Sequence, residues 1–284
     1  MTYVLKITDD KASQEQVAVA ILDSNNPLFE RFEALSPYFS EKDWQFMPAS
    51  LKKLEEKFER QSIPLSDIAT VVKSMETGKN EVLAPSIEII KQFKIEKELI
   101  HPVAKSGSIV RFHIEEDNRR IIWTEGIKFS DYPELKAYLT PYREDLSKRH
   151  DIKARKANWW EISNPRNADL FFSDYEQILV PFMATGNKFC VDTEKHLNDG
   201  GDLRGIFFNK DSEISPYYVC AILNSKAGEK YHKTHSKLKR GGYYEYYEGK
   251  LSLFPIRHIS FTTPEQERKA MVEKLKELYH KEVG

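Results

Sequence analysis

Apolar positions switch repeatedly between a period of two and a period near 3.6, always over short distances. Residues 3–7 and 16–22 read as strands, with a polar loop begun by Asp9-Asp10 between them. Residues 27–39 and 48–60 read as helices, the second with Leu51, Leu54 and Phe58 at core spacing and charges opposite. Two strands and two helices bury little alone, so residues 1–62 are set apart as an incomplete first block with a helical linker. From Ile63 to residue 284 the pattern is finer-grained. A short amphipathic helix is expected over Pro64–Val72, then a turn at Thr77-Gly78-Lys79-Asn80 and a strand at 81–83. A helix follows at 86–94, two extended pieces lie around a polar turn in 99–112, and a strand covers 120–123. Leu135, Leu139, Tyr142 and Leu146 make a helical stripe that Pro141 bends or splits. Strands at 178–183 and 189–191 flank the turn Thr185-Gly186-Asn187, and a further strand covers 205–208. Helices are expected at 216–223, 225–238 and 264–281, with a strand at 251–256. This irregular alternation predicts an α/β (α+β) fold: mixed twisted sheets of short strands, flanking helices and long loops.

The stretch Ile222–Ile256 carries the densest chemistry. An apolar segment stops at Asn224-Ser225, a helix N-cap signal. The helix expected after it places Lys226, Lys230, Lys233 and Lys237 on one face. Arg240-Gly241-Gly242 then breaks the helix and lets the backbone approach a ligand. Tyr243, Tyr244, Tyr246 and Tyr247 follow. A basic face, a glycine turn and an aromatic cluster suit a surface that meets phosphates and bases; the same residues also suit a solvated basic helix beside core tyrosines.

Charge adds to this picture only through its distribution. The net charge is −1, yet residues 226–250 hold seven Lys and Arg against three Glu. Residues 148–157 hold five Lys and Arg against Asp151, whereas residues 1–64 hold eight Lys and Arg against eleven Asp and Glu. Cys190 and Cys220 sit in apolar runs and read as buried free thiols, which suits a reducing cytoplasm. His232 and His235 lie in the lysine-rich helix and read as exposed polar residues, so no metal site is expected. No apolar run is long enough to cross a membrane.

Enzyme signatures are absent from the sequence. Glu76-Thr77-Gly78-Lys79 lacks the earlier glycine of a phosphate-binding loop, since Lys73 stands there. There is no G-x-G-x-x-G and no G-x-S-x-G. Acidic-x-Lys triplets such as Glu55-Glu56-Lys57 arise by chance in a chain with 31% charged residues. Asn26-Pro27-Leu28-Phe29 resembles a base-holding Asn-Pro-Pro-aromatic loop, but Leu28 replaces the second proline, and the residues read as a helix start. No catalytic residue is assigned.

An ordered series of short motifs is more informative. Leu65-x-Asp67-Ile68 and Thr77-Gly78-Lys79-Asn80 come first. Leu99-Ile100-x-Pro102-Val103, Lys105-Ser106-x-Ser108-Ile109-x-Arg111-Phe112 and Arg120-Ile121-Ile122-Trp123 follow. Tyr132-Pro133, Tyr138-Leu139, Tyr142, Leu146 and Arg149 precede Trp159-Trp160-Glu161-Ile162 and Pro165-Arg166. Ile178-x-Val180-Pro181, Asp192, Ile222-Leu223-Asn224-Ser225, Gly241-Gly242-Tyr243 and Leu253-x-Pro255-Ile256 complete it. Through residues 63–257 this order resembles the C-terminal target-recognition (specificity) domain of TaqI-like N6-adenine DNA methyltransferases of restriction–modification systems. The chain differs at Ser74, where a glycine is expected, and at Glu176-Gln177, where a proline-lysine pair is expected.

The resemblance implies a sequence-specific double-stranded DNA recognition domain, residues 63–284, behind the end of a methyltransferase-like domain and its linker, residues 1–62. The partners implied are duplex DNA and a catalytic methyltransferase domain, in the same parent chain or a separate subunit. That domain would use S-adenosylmethionine, and no cofactor is expected in this chain. Phosphate contacts are expected from Arg155, Lys156, Lys233, Lys237, Lys239 and Arg240. Base-edge contacts are expected from Lys79, Asn80, Lys105, Ser106, Asn187, Lys188, Asn198 and Asp199, with Tyr243 and Tyr244 as aromatic surface. The alternative is a protein-docking subunit of a restriction–modification complex.

Overall fold

A computed structural model describes residues 2–8, 11–21, 23, 25–34, 49–198, 201–257 and 264–283. The chain divides into two compact units, Met1–Ser62 and Ile63–Gly284. In the first, strands β1 (Thr2–Ile7) and β2 (Phe29–Ala34) pair antiparallel, with Thr2 opposite Ala34 and Ile7 opposite Phe29. Helix α1 (Gln14–Ile21) separates them in sequence, and α2 (Ala49–Glu59) follows. Two expectations are corrected here. Residues 16–21 are helical, because Ser13 and Gln16 form a reciprocal cap: Gln16 N–H donates to Ser13 Oγ at 3.2 Å, and Ser13 N–H to Gln16 Oε1 at 2.8 Å. Residues 29–34 are a strand, launched by Asn26 Oδ1 accepting from Leu28 N–H at 3.0 Å and held by pairing with β1. Asn26-Pro27 therefore opens a strand; residues 35–39 lie outside the described residues.

A short strand, β3 (Ser62–Pro64), spans the boundary. The second unit is mixed α/β with several small sheets. Its central sheet is antiparallel, in the order β11 (Cys190–Asp192), β9 (Gln177–Pro181), β13 (Leu203–Phe208), β4 (Ala69–Lys73). A second sheet pairs β12 (Leu197–Asn198) parallel to β5 (Ile100–Ala104), which runs antiparallel to β8 (Arg120–Ile122). Strands β6 (Ile109–Val110) and β7 (His113–Ile114) make a small hairpin. The expected helix over 64–72 is instead a 3₁₀ turn at Leu65–Asp67 leading into β4: its β-branched run Thr70-Val71-Val72 pairs with β13. The expected strand at 81–83 is helix α3 (Asn80–Leu83), followed by α4 (Ile87–Phe93).

Pro141 splits the long stripe as expected. Helix α5 (Pro133–Leu139), a 3₁₀ turn at 140–142 and α6 (Arg143–Ser147) together keep Leu135, Leu139 and Leu146 fully buried. They join a core with Ile121, Ile122, Leu203 and Phe207, and Phe129 stacks on Trp160 at 4.6 Å. Helices α7 (His150–Arg155) and α8 (Ala168–Phe171) flank this core. Arg149, between α6 and α7, ties three segments. Its guanidinium donates to the carbonyls of Leu146 (2.9 Å), Thr77 (2.9 Å), Trp159 (2.8 Å) and Glu161 (2.7 Å). Burial lowers its pKa to about 10.

The C-terminal third holds α9 (Pro216–Asn224) and α10 (Lys226–His235), joined at Ser225, whose Oγ accepts from Gly228 N–H at 3.0 Å. A three-stranded antiparallel sheet follows, in the order β10 (Met183–Ala184), β15 (Tyr243–Glu245), β14 (Leu238–Lys239). Then α11 (Glu248–Ser252) occupies part of the span expected as a strand, β16 (Pro255–Arg257) takes the rest, and α12 (Glu265–Val283) ends the fold. Cys190 and Cys220 are buried thiols that form no disulfide with each other. His232 is also buried, at 3% exposure, which corrects the expectation of a surface histidine. Its ring stacks on fully buried Tyr246 at 4.1 Å, and its Nε2 lies 2.9 Å from Ser236 Oγ. His235 stacks on Tyr231 at 4.2 Å. No described helix is long and apolar enough to cross a membrane.

Two outcomes follow from the buried cations and rings. Replacing Arg149 with Met strands four carbonyls, so urea unfolding should show a loss of about 3 kcal/mol or more, whereas Lys156→Met on the surface should cost roughly nothing. Burial lowers the pKa of His232 to about 4, below the 6.5 of an unperturbed ring. The unfolded chain therefore binds its proton first, and stability is full above pH 6.5 and falls as pH drops toward 4. Between pH 7 and 5 the loss from this group should be about 2 kcal/mol, and His232→Phe should flatten the slope by that amount in unfolding titrations.

Candidate nucleic-acid interface

The lysine-rich stretch builds a surface from two elements rather than one. Helix α10 stops at His235, because Ser236 is extended (φ −100°, ψ 154°) and its hydroxyl donates to Glu245 O at 2.8 Å. Lys237 and Lys239 therefore leave the helix, which corrects the single basic face. Lys239 lies in a β-hairpin in which Leu238 pairs with Tyr244 and Lys239 with Tyr243. The turn between is Arg240-Gly241-Gly242, where φ of +81° and +78° at the glycines would strain any side chain. The glycine pair thus makes a hairpin turn and does not end a helix.

Carboxylates organise the cations. Glu229 on α10 accepts from Lys233 Nζ at 2.6 Å and from Arg111 Nη2 at 3.0 Å. The hydrogen bond from Lys233, and then Arg111, keep its pKa below the ordinary carboxylate value. Lys233 Nζ also lies 5.4 Å from the Tyr244 ring centre, and Lys239 bonds Glu245 at 3.0 Å. Lys226, Lys230, Lys237 and Arg240 are exposed, and none has an ion-pair partner among the described residues. Tyr243 is 44% exposed, Tyr244 half-buried, and Tyr246 fully buried, where it donates to Asn187 Oδ1 at 2.9 Å. Burial pushes the Tyr246 phenol up.

Two expected base readers are corrected by burial. Asn187 is 1% exposed, and its amide donates to Leu223 O at the end of α9. Asn198, also 1% exposed, donates to Ala104 O at 3.0 Å and to Asp202 Oδ1 at 3.1 Å. Both amides are spent inside the protein and cannot reach a base. Arg155 is exposed, but its guanidinium is engaged within the protein: it donates to the carbonyls of Ile162 and Ser163, both at 2.9 Å, and pairs with Glu125 at 2.5 Å. Asp199 lies outside the described residues.

The remaining expected residues sit on other loops. Lys79 is the half-buried N-cap of α3, and Asn80 Oδ1 accepts from Thr77 Oγ1. Lys105 bonds Asp117 at 2.9 Å, and hydrogen bonds from Arg119 and Lys105 hold that carboxyl well below its usual range although burial works the other way. Ser106 is half-buried in a 3₁₀ turn, Lys156 is an exposed left-handed cap of α7, and Lys188 is half-buried beside Asn187. Arg111 was missed as a contact. Its turn, between β6 and β7, is set beside the 185–189 loop by Phe112 N–H donating to Phe189 O at 3.0 Å. The signal was an arginine between the short strands Ile109–Val110 and His113–Ile114, which no local pattern links to Glu229.

Comparison with known proteins agrees with this architecture. The family described as the TaqI-like C-terminal specificity domain matches residues 108–256. A curated relative, the type II methyltransferase M.BanIII of Aneurinibacillus aneurinilyticus, is 24% identical over 238 residues, covering 74% of this chain and 40% of its own length. The chain thus spans well under half of that relative. Among solved structures, the type IIL restriction-modification enzyme MmeI in complex with DNA superposes with a TM-score of 0.51 at 13% identity, covering 88% of this chain and 31% of the other. That likeness is one of fold. With more than half of its residues matched, the chain belongs to the TaqI-like C-terminal specificity domain family.

Proposed function

We propose that the chain recognises a specific sequence in duplex DNA and holds the duplex for a partner methyltransferase domain that modifies adenine at N6. The observation that carries this reading is the group of exposed cations with no ion-pair partner among the described residues, on adjoining elements: Lys226 and Lys230 on α10, and Lys237 and Arg240 on the hairpin. Cations with no internal partner are free to displace the counterions of phosphates. Lys233 and Lys239 are held in fixed directions by Glu229 and Glu245, so they suit defined phosphate or base positions. Lys79, Lys105, Ser106, Lys156 and Lys188 lie on loops with partial or full exposure and would extend the contact. Tyr243 and Tyr244 would line it.

S-adenosylmethionine belongs with the partner in this reading. Strands β1 and β2 pair antiparallel around α1, which is not the parallel βαβ unit that cradles a nucleotide-like cofactor, and the sequence has no G-x-G-x-x-G. The partner is the catalytic domain, in the parent chain or a separate subunit, consistent with the 40% of M.BanIII that this chain matches. Exposed Ile7, Val19 and Ile21 in the first unit offer it apolar surface. Extrusion of the target base by that domain costs roughly a few kcal/mol, which a firmly held duplex offsets. The reading suits a DNA-acting protein of the cytoplasm.

Affinity for duplex DNA measured across a salt series should fall with a log–log slope of about −0.9 per phosphate contacted. Lys226→Ala and Lys230→Ala should each reduce the slope by about one unit without changing sequence preference. A salt-independent interaction, or slopes untouched by both variants, would remove α10 from the interface.

A further inference from the structure

The β14–β15 hairpin has two unlike faces. Paired residues on neighbouring strands share a face, and alternate residues along a strand change face. Tyr244 therefore lies on the same side as Ala184 and Leu238, its register partners. Part of this side meets α10: Lys233 stands over the Tyr244 ring and Ala184 is buried, whereas Leu238 is 62% exposed. The other side carries Lys239 and Tyr243, which are paired, and Glu245 and Met183, also paired. Lys237 joins them, because Glu245 N–H donates to its carbonyl at 3.4 Å. This side is open: Tyr243 is 44% and Met183 45% exposed, and Lys237 and Lys239 are exposed.

The tip also stands clear of the protein. A Cβ added at Gly242 would meet no atom within 4 Å, and one at Gly241 would meet only the ring of Tyr243. Strand β10 pairs with Tyr244 and Glu245 alone, so the outermost part, Lys239 to Tyr243, is a two-stranded ribbon. Residues 237–243 are all exposed. In a chain of net charge −1 this ribbon carries Lys237, Lys239 and Arg240 and no acid before Glu245.

We infer that this ribbon enters the major groove of DNA and reads base edges with Arg240 and Tyr243. The inference rests on the proposed function and names the element that would supply its specificity. A two-stranded ribbon with side chains fits the major groove, about 12 Å wide, where each base pair shows a distinct pattern of donors and acceptors. Arg240 carries five donors in a planar fork and has no partner for them among the described residues, which suits the O6 and N7 acceptors of guanine. The Tyr243 ring and Met183 offer apolar contact to thymine methyl groups.

The test begins by selecting duplexes from a random pool with the full chain. Binding of wild type, Arg240→Ala, Arg240→Lys and Tyr243→Ala is then compared on the selected duplex and on a scrambled one, with interference by guanine N7 methylation on the wild type. The expected result is a roughly tenfold to hundredfold loss of preference for the selected duplex in Arg240→Ala, the scale of one bidentate base contact, only partly restored by lysine. Methylation of a guanine in the site should block binding. Both side chains are exposed, so thermal unfolding of the variants should coincide with wild type. Equal weakening on both duplexes, or none, would overturn the groove-reading role while leaving DNA binding intact. Failure of the wild type to retain any duplex at low salt would overturn both.

Discussion

A backbone loop can be buried against a helix end only if its amides and carbonyls find partners there, since an unmet buried group costs about 1–3 kcal/mol. The interface depends on one such junction. Asn224, the last residue of α9, accepts from Phe189 N–H at 3.0 Å and donates to Phe189 O at 2.8 Å. Asn187 donates to Leu223 O and accepts from Tyr246. Two asparagines and a tyrosine thus close the 185–189 loop onto the point where α9 gives way to α10. Tyr246 is the continuation of β15, so the same bonds set where the hairpin leaves the body. Its stack on His232 fixes the rotation of α10 about its axis. The basic helix, the ribbon and the Arg111 turn are therefore held to one another by groups that never meet solvent.

This arrangement explains what was legible in the sequence. Elements with one dominant apolar stripe read correctly: α5 and α6 around Pro141, α9, α12 and, to within two residues at their ends, the strands expected at 178–183 and 205–208, which run 177–181 and 203–208. The series of weak motifs over 63–257 placed the family, because it sampled many buried positions in a fixed order. Errors came where tertiary partners outvoted local pattern. The run Val17 to Ile21 alternates with alanine, which suits either period, and the Ser13–Gln16 cap decides for helix. The run Phe29–Ala34 has helix-compatible residues, yet pairing with β1 holds it extended.

The same limit governed the site. Asn187 in Thr-Gly-Asn-Lys looks like a solvent-facing turn residue, and whether it is depends on a carbonyl 36 residues away. Asn198 is equally turn-like and equally consumed, by Ala104 O across 94 residues. Arg155 looks like part of a basic run, but three acceptors from other segments engage its guanidinium. The lysines named as contacts all keep at least partial exposure, for a physical reason. An ammonium on a flexible stem is costly to bury, so its exposure follows from its chemistry, whereas an amide is at home in either place.

Net charge, finally, is a poor guide to what this surface meets. At physiological ionic strength charges farther apart than about 8 Å scarcely feel one another, so a phosphate senses the local patch and not the total. The first 64 residues carry an excess of acid and the stretch 226–250 an excess of base. Within that stretch, two of the three acids are already bound to lysines of the same surface, Glu229 to Lys233 and Glu245 to Lys239. Each such pair gives up part of its attraction for phosphate and gains a fixed direction for its nitrogen. Lys226, Lys230 and Lys237, with no such partner among the described residues, keep the attraction. A surface divided in this way separates grip from direction, and the chain can remain close to neutral while presenting a strongly positive face.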